Sequence, residues 1–286
     1  VASIIAGDRD ASGMRGVAYD ATLYDYKWLN SSGNVSFTDT SLANMINQHV
    51  TDNISISNNS WGVSTRVNGV TSSYVTSTYS QSIAALKSAQ TNGTLFIFAA
   101  GNSQASQPNL IAGMPYHDSD LAGAWLVVVA VDPTLTEPLY TDRCGVTYDF
   151  CVTAPGGGDS QSTDGIYAAQ TNGTYVRYSG TSMAAPHVSG LAAALMEKFP
   201  SLTATQIATR IKSTASYDGL TGYGGQTSAN SSTATLQAIF GHGLINSTAA
   251  AASLGNYIYA NGSNLSNGTN LSANRISLPS GLPAST

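Results

Sequence analysis

The chain has 286 residues, 42% of them hydrophobic and only 9% charged, with a formal net charge of −5. That length suffices for one large domain with a sizeable core, and with so few charges Ser, Thr, Asn and Gly must cover the surface. An acidic balance with no basic cluster excludes the usual nucleic-acid binder, and no apolar run approaches the length that spans a bilayer.

Val1–Gly7 reads as the tail of a helix: Val1, Ile4 and Ile5 share a face, and Gly7 is a natural stop. Gly16–Ala21 is a turn that leads into a segment over 22–29. Between Thr38 and Val50, Leu42, Met45, Ile46 and His49 fall on one helical face, which makes His49 a boundary residue and not a ligand or base. Asn53–Gly62 begins as an alternating strand and ends in a polar turn. A strand edge carrying a glycine lets an extended peptide approach and add as a further strand. Residues 69–80, rich in Ser, Thr and Tyr, read as a surface loop. Residues 81–90 form a short helix with Ile83, Leu86 and Ala89 inward.

Thr94 to Ala100 is a continuous apolar run, as expected of a strand buried on both faces of a parallel sheet, and Trp125–Val131 is a second. Met114–Pro115 is a candidate cis bond. His117 beside Asp118 is no acid–base pair, because adjacent side chains point apart. Cys144 and Cys151 flank a short loop containing Gly145; a disulfide there implies an oxidising compartment. The alternatives are two free thiols or half a metal site, and no further Cys exists to complete a thiolate site. Gly156–Gly158 is a flexible loop, not a phosphate cradle, since no Lys-Ser/Thr follows it. Tyr175–Tyr178 is a strand.

The next stretch, Tyr178-Ser179-Gly180-Thr181-Ser182-Met183-Ala184-Ala185-Pro186-His187-Val188-Ser189-Gly190, organises the chain. A Gly-Thr-Ser turn runs into an apolar helix and sets the Ser182 hydroxyl at the helix N-terminus, where unpaired N–H groups and the positive end of the dipole gather. An oxygen turning negative is stabilised at that point. Pro186 has no N–H to offer the Ser182 carbonyl, so the first turn should be loose or bent. Val188, Leu191, Ala192, Leu195 and Phe199 mark a buried face. His187, five residues after Ser182, points away from it into the core. Pro200–Thr203 is a turn before an amphipathic helix carrying Ile207 and Ile211, and His242, between two glycines, is a turn residue. From Gly262 the chain is Asn/Ser/Gly-rich without a period, a linker or return strand.

The Ser182 segment is similar to the nucleophile segment of the subtilisin-like serine proteases (subtilases), G-T-S-M-A-x-P-x-V-x-G, at every fixed position. Ala99-Ala100-Gly101-Asn102 resembles the family's oxyanion segment, Asn58–Gly62 its substrate-binding edge strand, Gly113-Met114-Pro115 its G-Y-P turn, and Ala154-Pro155-Gly156 its A-P-G turn. With Arg143-Cys144-Gly145 and Cys151, the last looks most like the subtilase passenger domains of bacterial autotransporters. Val1–Gly7 is similar to the end of the family's H-G-T-H-V-A-G-x-x-A-G segment, with Ser3 in place of Gly. The turn at Gly16 has Tyr19 in place of Pro, and a parallel strand follows it in the family.

The resemblance implies an α/β fold, a doubly wound, mostly parallel sheet flanked by helices, with a truncated catalytic domain over 1–255 and an extension or linker over 256–286. It implies a serine endopeptidase with Ser182 as nucleophile. Asn102 and the Ser182 N–H would be the oxyanion donors, and Ser60, Trp61 and Gly62 would pair with the substrate backbone. Ala99, Ala100 and Gly101 would line a specificity pocket floored by Gly113. With no acidic residue in the matching segment, that pocket should be neutral and prefer large apolar side chains. The catalytic His would lie four positions before Val1 and the Asp earlier still, so these residues alone should be inactive. No cofactor or metal is needed for the chemistry; structural calcium is common in the family, but no acidic cluster locates it. Protein or peptide substrates, an extracellular or cell-surface location and a tether to an outer-membrane translocator beyond Thr286 complete the expectation. The alternative is a catalytically dead subtilase-fold binding passenger. A lipase-type hydrolase is excluded, because no Gly-x-Ser-x-Gly surrounds Ser182.

Overall fold

The computed structural model describes residues 1–9, 13–27 and 36–252. The chain divides into a compact unit, Val1–Ala250, and a second, Ala251–Thr286. The boundary expected at 255, the extension over 256–286, and Trp28 and Leu29 lie outside the described residues.

Helix α1 (Ala2–Ala6) buries Ile4 and Ile5 and stops at Gly7. Space is the reason for glycine here, since the backbone is extended (φ −62°) and a Cβ would stand 2.7 Å from the Ser3 carbonyl. Residues 21–27, where the resemblance implies a strand, form none. Helix α2 (Asp39–Thr51) starts from a reciprocal cap: Thr38 Oγ1 accepts the Ser41 N–H at 3.1 Å and Ser41 Oγ accepts the Thr38 N–H at 2.9 Å. It buries Leu42, Ile46 and His49, with Met45 partly covered. Strand β1 (Ile56–Asn59) follows.

The segment read as a surface loop contains a helix, α3 (Ser72–Thr78). Thr71 caps it by accepting the Tyr74 N–H, and Val75, fully buried, is its single apolar anchor. One buried residue leaves no periodicity to detect. Helix α4 (Ser80–Thr91), strands β2 (Leu95–Ala99) and β3 (Trp125–Val131) come next, then β4 (Cys151–Pro155), which the sequence presents only as a turn. Helix α5 (Gln161–Asp164), the hairpin β5 (Ile166–Ala169) and β6 (Tyr175–Tyr178), and helices α6 (Thr181–Lys198), α7 (Ala204–Ser213), α8 (Thr233–Phe240) and α9 (Ser247–Ala250) complete the unit.

Strands β1 to β4 form one parallel sheet in that order, and β5 and β6 form a separate antiparallel pair. Every residue of β2 and β3 is buried. Phe96, Phe98, Trp125 and Val127 pack with Leu42, Ile46 and Leu86 of α2 and α4, and Phe98 stacks on Trp125 at 4.6 Å. The alternate residues Leu95, Ile97, Leu126 and Val128 are equally buried, and α6 packs against all four strands. Both faces of the sheet are thus covered, the arrangement parallel strands require. This is the expected α/β, doubly wound architecture. Ser3 ties α1 to the hairpin by accepting the Ala169 N–H at 3.0 Å.

Cys144 and Cys151 are joined in a disulfide that fixes a short turn to the start of β4. The Met114–Pro115 bond is trans.

Candidate active site

Ligands of open parallel sheets sit at the carboxyl ends of the strands. Here β1 and β2 pair in register up to Asn59 and Phe98, so the segments that follow, Ser60–Gly62 and Ala100–Asn102, emerge side by side. The N-terminus of α6 arrives at the same place. The three segments share a cleft of about 330 Å³ lined by Trp61, Gly62, Ala99, Gly101, Asn102, Thr181 and Ser182. A larger cavity, about 750 Å³, runs beside β1 among Ala21–Tyr26, His49 and Ser189, and includes neither Ser182 nor Asn102.

Helix α6 runs unbroken through Pro186. The carbonyl that Pro186 cannot serve is taken by a side chain instead: Ser60 Oγ donates to the Ser182 carbonyl at 2.9 Å. Ser60 Oγ in turn accepts from Asn58 Nδ2 at 3.0 Å, and Asn58 Oδ1 accepts from Ser189 Oγ at 2.8 Å. The first turn is therefore stitched to the end of β1. Ser182 Oγ donates to the Ser60 carbonyl at 3.2 Å.

Asn102 is held from the other side. Its Oδ1 accepts both the Thr181 N–H (2.8 Å) and the Thr181 hydroxyl (2.9 Å), and Thr181 Oγ1 accepts the Gly101 N–H at 3.1 Å. Both bonds fall on Oδ1, so among the described residues Nδ2 is the end of the amide with no hydrogen-bond partner. Gly180, with φ +152°, passes close by: a Cβ there would stand 3.3 Å from Nδ2. Met183 and Ala184 both donate to the Gly180 carbonyl, which leaves the Ser182 N–H unclaimed among the described residues. Asn102 and Ser182 line the same cleft, and among the described residues neither Asn102 Nδ2 nor the Ser182 N–H has a hydrogen-bond partner.

Ser60, Ala100 and Gly113 are not among the residues that line the cleft. Ala100 is fully buried, and a Cβ at Gly113 would run into Val67 and lie 3.3 Å from Thr147. The absence of a side chain at Gly113 therefore lets Val67 pack against its backbone. The wall of the cleft is not made of neutral groups alone, because Arg66 and Asp142 form an ion pair in it. Neither residue carries a motif; only the fold brings them to Gly101. Thr181 and Asn109 were also missed. Asn109 Nδ2 donates to the carbonyls of Ala99 (3.0 Å) and Ala100 (2.9 Å) and so fixes the end of β2.

None of the four histidines serves Ser182. His49 bonds the Met45 carbonyl and Ser57 Oγ, His117 the Val67 carbonyl and Ser72 Oγ, His187 the Met183 carbonyl, and His242 the Asp149 carbonyl. Burial holds His49 and His187 below the ordinary imidazole range. Asp118 pairs with Lys87 at 2.9 Å and not with His117. Among the described residues no three His, Cys, Asp or Glu side chains gather in one place, so no calcium site is assigned. No helix among them is long and apolar enough to cross a membrane.

The extracellular serine protease of Serratia marcescens is 31% identical over an alignment that covers 78% of this chain and 26% of that protein. The chain thus spans about a quarter of that relative's length. Subtilisin DY of Bacillus licheniformis is 31% identical, with 88% of this chain and 76% of that protein covered. Among solved structures, proteases from Pseudoalteromonas arctica PAMC 21717 superpose with a TM-score of 0.66 at 24% identity, over 87% of this chain and 68% of theirs. That likeness shows the fold alone. The profile of the subtilase family, Peptidase_S8, matches residues 1–243. With a match that takes in the whole parallel sheet, the Asn102 loop and the Ser182 helix, the chain belongs to the subtilase family.

Proposed function

We propose that this chain is the body of a subtilisin-like serine endopeptidase. Ser182 Oγ attacks the peptide carbonyl, and the developing oxyanion is met by Asn102 Nδ2 and the Ser182 N–H at the positive end of α6. The substrate backbone lies along Ser60, Trp61 and Gly62. The proton of Ser182 passes to a histidine, oriented by an aspartate, supplied from outside residues 1–286. Residues 1–286 alone are then close to inactive, since losing that histidine removes about 10⁶ in turnover in subtilisin. The observation that supports this reading is the double clamp of Thr181 on Asn102 Oδ1, which leaves Nδ2 as the donor end of an amide in the cleft that Ser182 also lines.

The specificity pocket takes large uncharged side chains. Arg66 and Asp142 neutralise each other in its wall, so neither a basic nor an acidic side chain finds an unmatched charge there. The likeness to the extracellular serine protease of Serratia marcescens and the disulfide support an extracellular or surface location.

One observation favours a second reading, a binding passenger that keeps the shape without the chemistry: no histidine of this chain reaches Ser182. Peptide-library digestion by the full-length protein and its Ser182→Ala variant decides between them. The protease reading expects cleavage after large apolar residues that the variant lacks. Intact peptides with both proteins defeat it, and cleavage chiefly after Lys or Arg defeats the pocket assignment.

A further inference from the structure

We propose that Asp142 is the positioning residue for the oxyanion donor, acting through the backbone of the Asn102 loop. The proposal rests on the reading of Asn102 given above. The loop Gly101–Ala105 holds two backbone conformations of the left-handed half of the map, Gly101 at φ +128° and Gln104 at φ +54°. Such a path persists only where neighbours over-determine it.

Asp142 supplies most of that determination. It is fully buried. One carboxylate oxygen, Oδ1, accepts the Ser103 N–H at 3.0 Å and the Ala105 N–H at 2.8 Å; the other pairs with Arg66 Nη1. The Asp142 N–H donates to the Gly101 carbonyl at 2.9 Å. The flanking residues extend the clamp: the Gln104 N–H donates to the Tyr140 carbonyl at 2.9 Å and the Arg143 N–H to the Ala105 carbonyl at 2.8 Å. Oδ2 lies where a Cβ of Gly101 would be, so only glycine lets the loop close on the carboxylate.

Asn102 thus hangs between two anchors. Thr181 fixes its side chain, and Asp142 fixes the backbone on both sides of it. A buried carboxylate is tolerated because one guanidinium and two N–H groups satisfy it. Arg66 is three-quarters covered yet lines the cleft, so it balances the charge without drawing the loop away from Ser182. An oxyanion donor contributes only when it is fixed before the charge develops, so loosening this loop lowers turnover more than binding.

The test is a double-mutant cycle in the full-length protein between Asp142→Asn and Asn102→Ala. Turnover is measured per active site, titrated with a serine-reactive phosphonate, so that a variant that folds poorly loses titre and not rate. Asp142→Asn should lower kcat about tenfold with KM within about twofold, and should change kcat by less than about twofold once Asn102 is Ala. Arg66→Lys, which keeps the charge but not the fork, should reduce kcat less, with the same dependence on Asn102. A full tenfold loss in both backgrounds, a change in KM alone, or a fall in titre with kcat intact overturns the proposal. If Asn102→Ala itself leaves kcat unchanged, the oxyanion reading beneath it falls instead.

Discussion

Ser60→Ala tests how the first turn of α6 tolerates Pro186. The substitution removes the hydroxyl that donates to the Ser182 carbonyl at 2.9 Å and that accepts from Asn58 Nδ2 at 3.0 Å. Pro186 offers that carbonyl no N–H, so both groups lose their partner in a half-buried setting. An unmatched buried polar group costs about 1–3 kcal/mol; because these two are only partly buried each falls in the lower half of that range, and the pair loses about 2–3 kcal/mol. In a Pro186→Ala background the restored N–H reaches the carbonyl along the helix, only Asn58 is orphaned, and the cost of Ser60→Ala should shrink to about 1 kcal/mol. Urea unfolding of the four proteins gives the coupling directly. Equal costs in the two backgrounds, within the ~0.5 kcal/mol expected of independent sites, would refute the account of this turn.

Thr181→Val keeps the shape of a fully buried residue but removes the hydroxyl between Asn102 Oδ1 and the Gly101 N–H; phosphonate labelling of Ser182 should slow about tenfold, and an unchanged rate would mean the hydroxyl does not hold the amide. Replacing Cys144 and Cys151 by Ala opens a loop with a sequence separation of 7 and should lower stability by about 2.5 kcal/mol on the loop-entropy model; no change in the unfolding midpoint would contradict it. His49 and His187 are held below the ordinary imidazole value by burial. Above about pH 6.5 both are neutral folded and unfolded, and their contribution is complete. As pH falls below that value the unfolded chain takes up protons that the folded chain refuses, and stability drops until the lowered native values are passed. Unfolding between pH 7.5 and 5 should show this decline, and His187→Asn should flatten it; an identical slope in the variant would contradict the assignment.

The sheet was legible where burial is complete. The apolar runs at Leu95–Ala99 and Trp125–Val131 announce strands covered on both faces, and both form. β4 was hidden because it is short, begins at a disulfide and ends in Pro155, so its residues look like a turn. α3 was hidden because Val75 alone anchors it. The segments carrying Ser182 and Asn102 could be singled out from the sequence by their resemblance to the family's motifs, since a turn into a helix or an Asn after a strand is by itself common. Their support could not. Asp142, Arg66 and Thr181 act through contacts that span 37 to 80 positions of sequence, and no local spacing encodes such contacts. At Gly113 the motif was visible, but the neighbours that its missing side chain makes room for, Val67 and Thr147, are set by tertiary packing.

The measurement closest to the central claim is covalent labelling of the folded full-length protein with a serine-reactive phosphonate, mapped by mass spectrometry. A nucleophile at the N-terminus of α6, flanked by prepared oxyanion donors, predicts a single adduct on Ser182 that disappears on unfolding and in Ser182→Ala. Folded protein that carries no adduct on Ser182, or carries the same scattered adducts before and after unfolding, would contradict it.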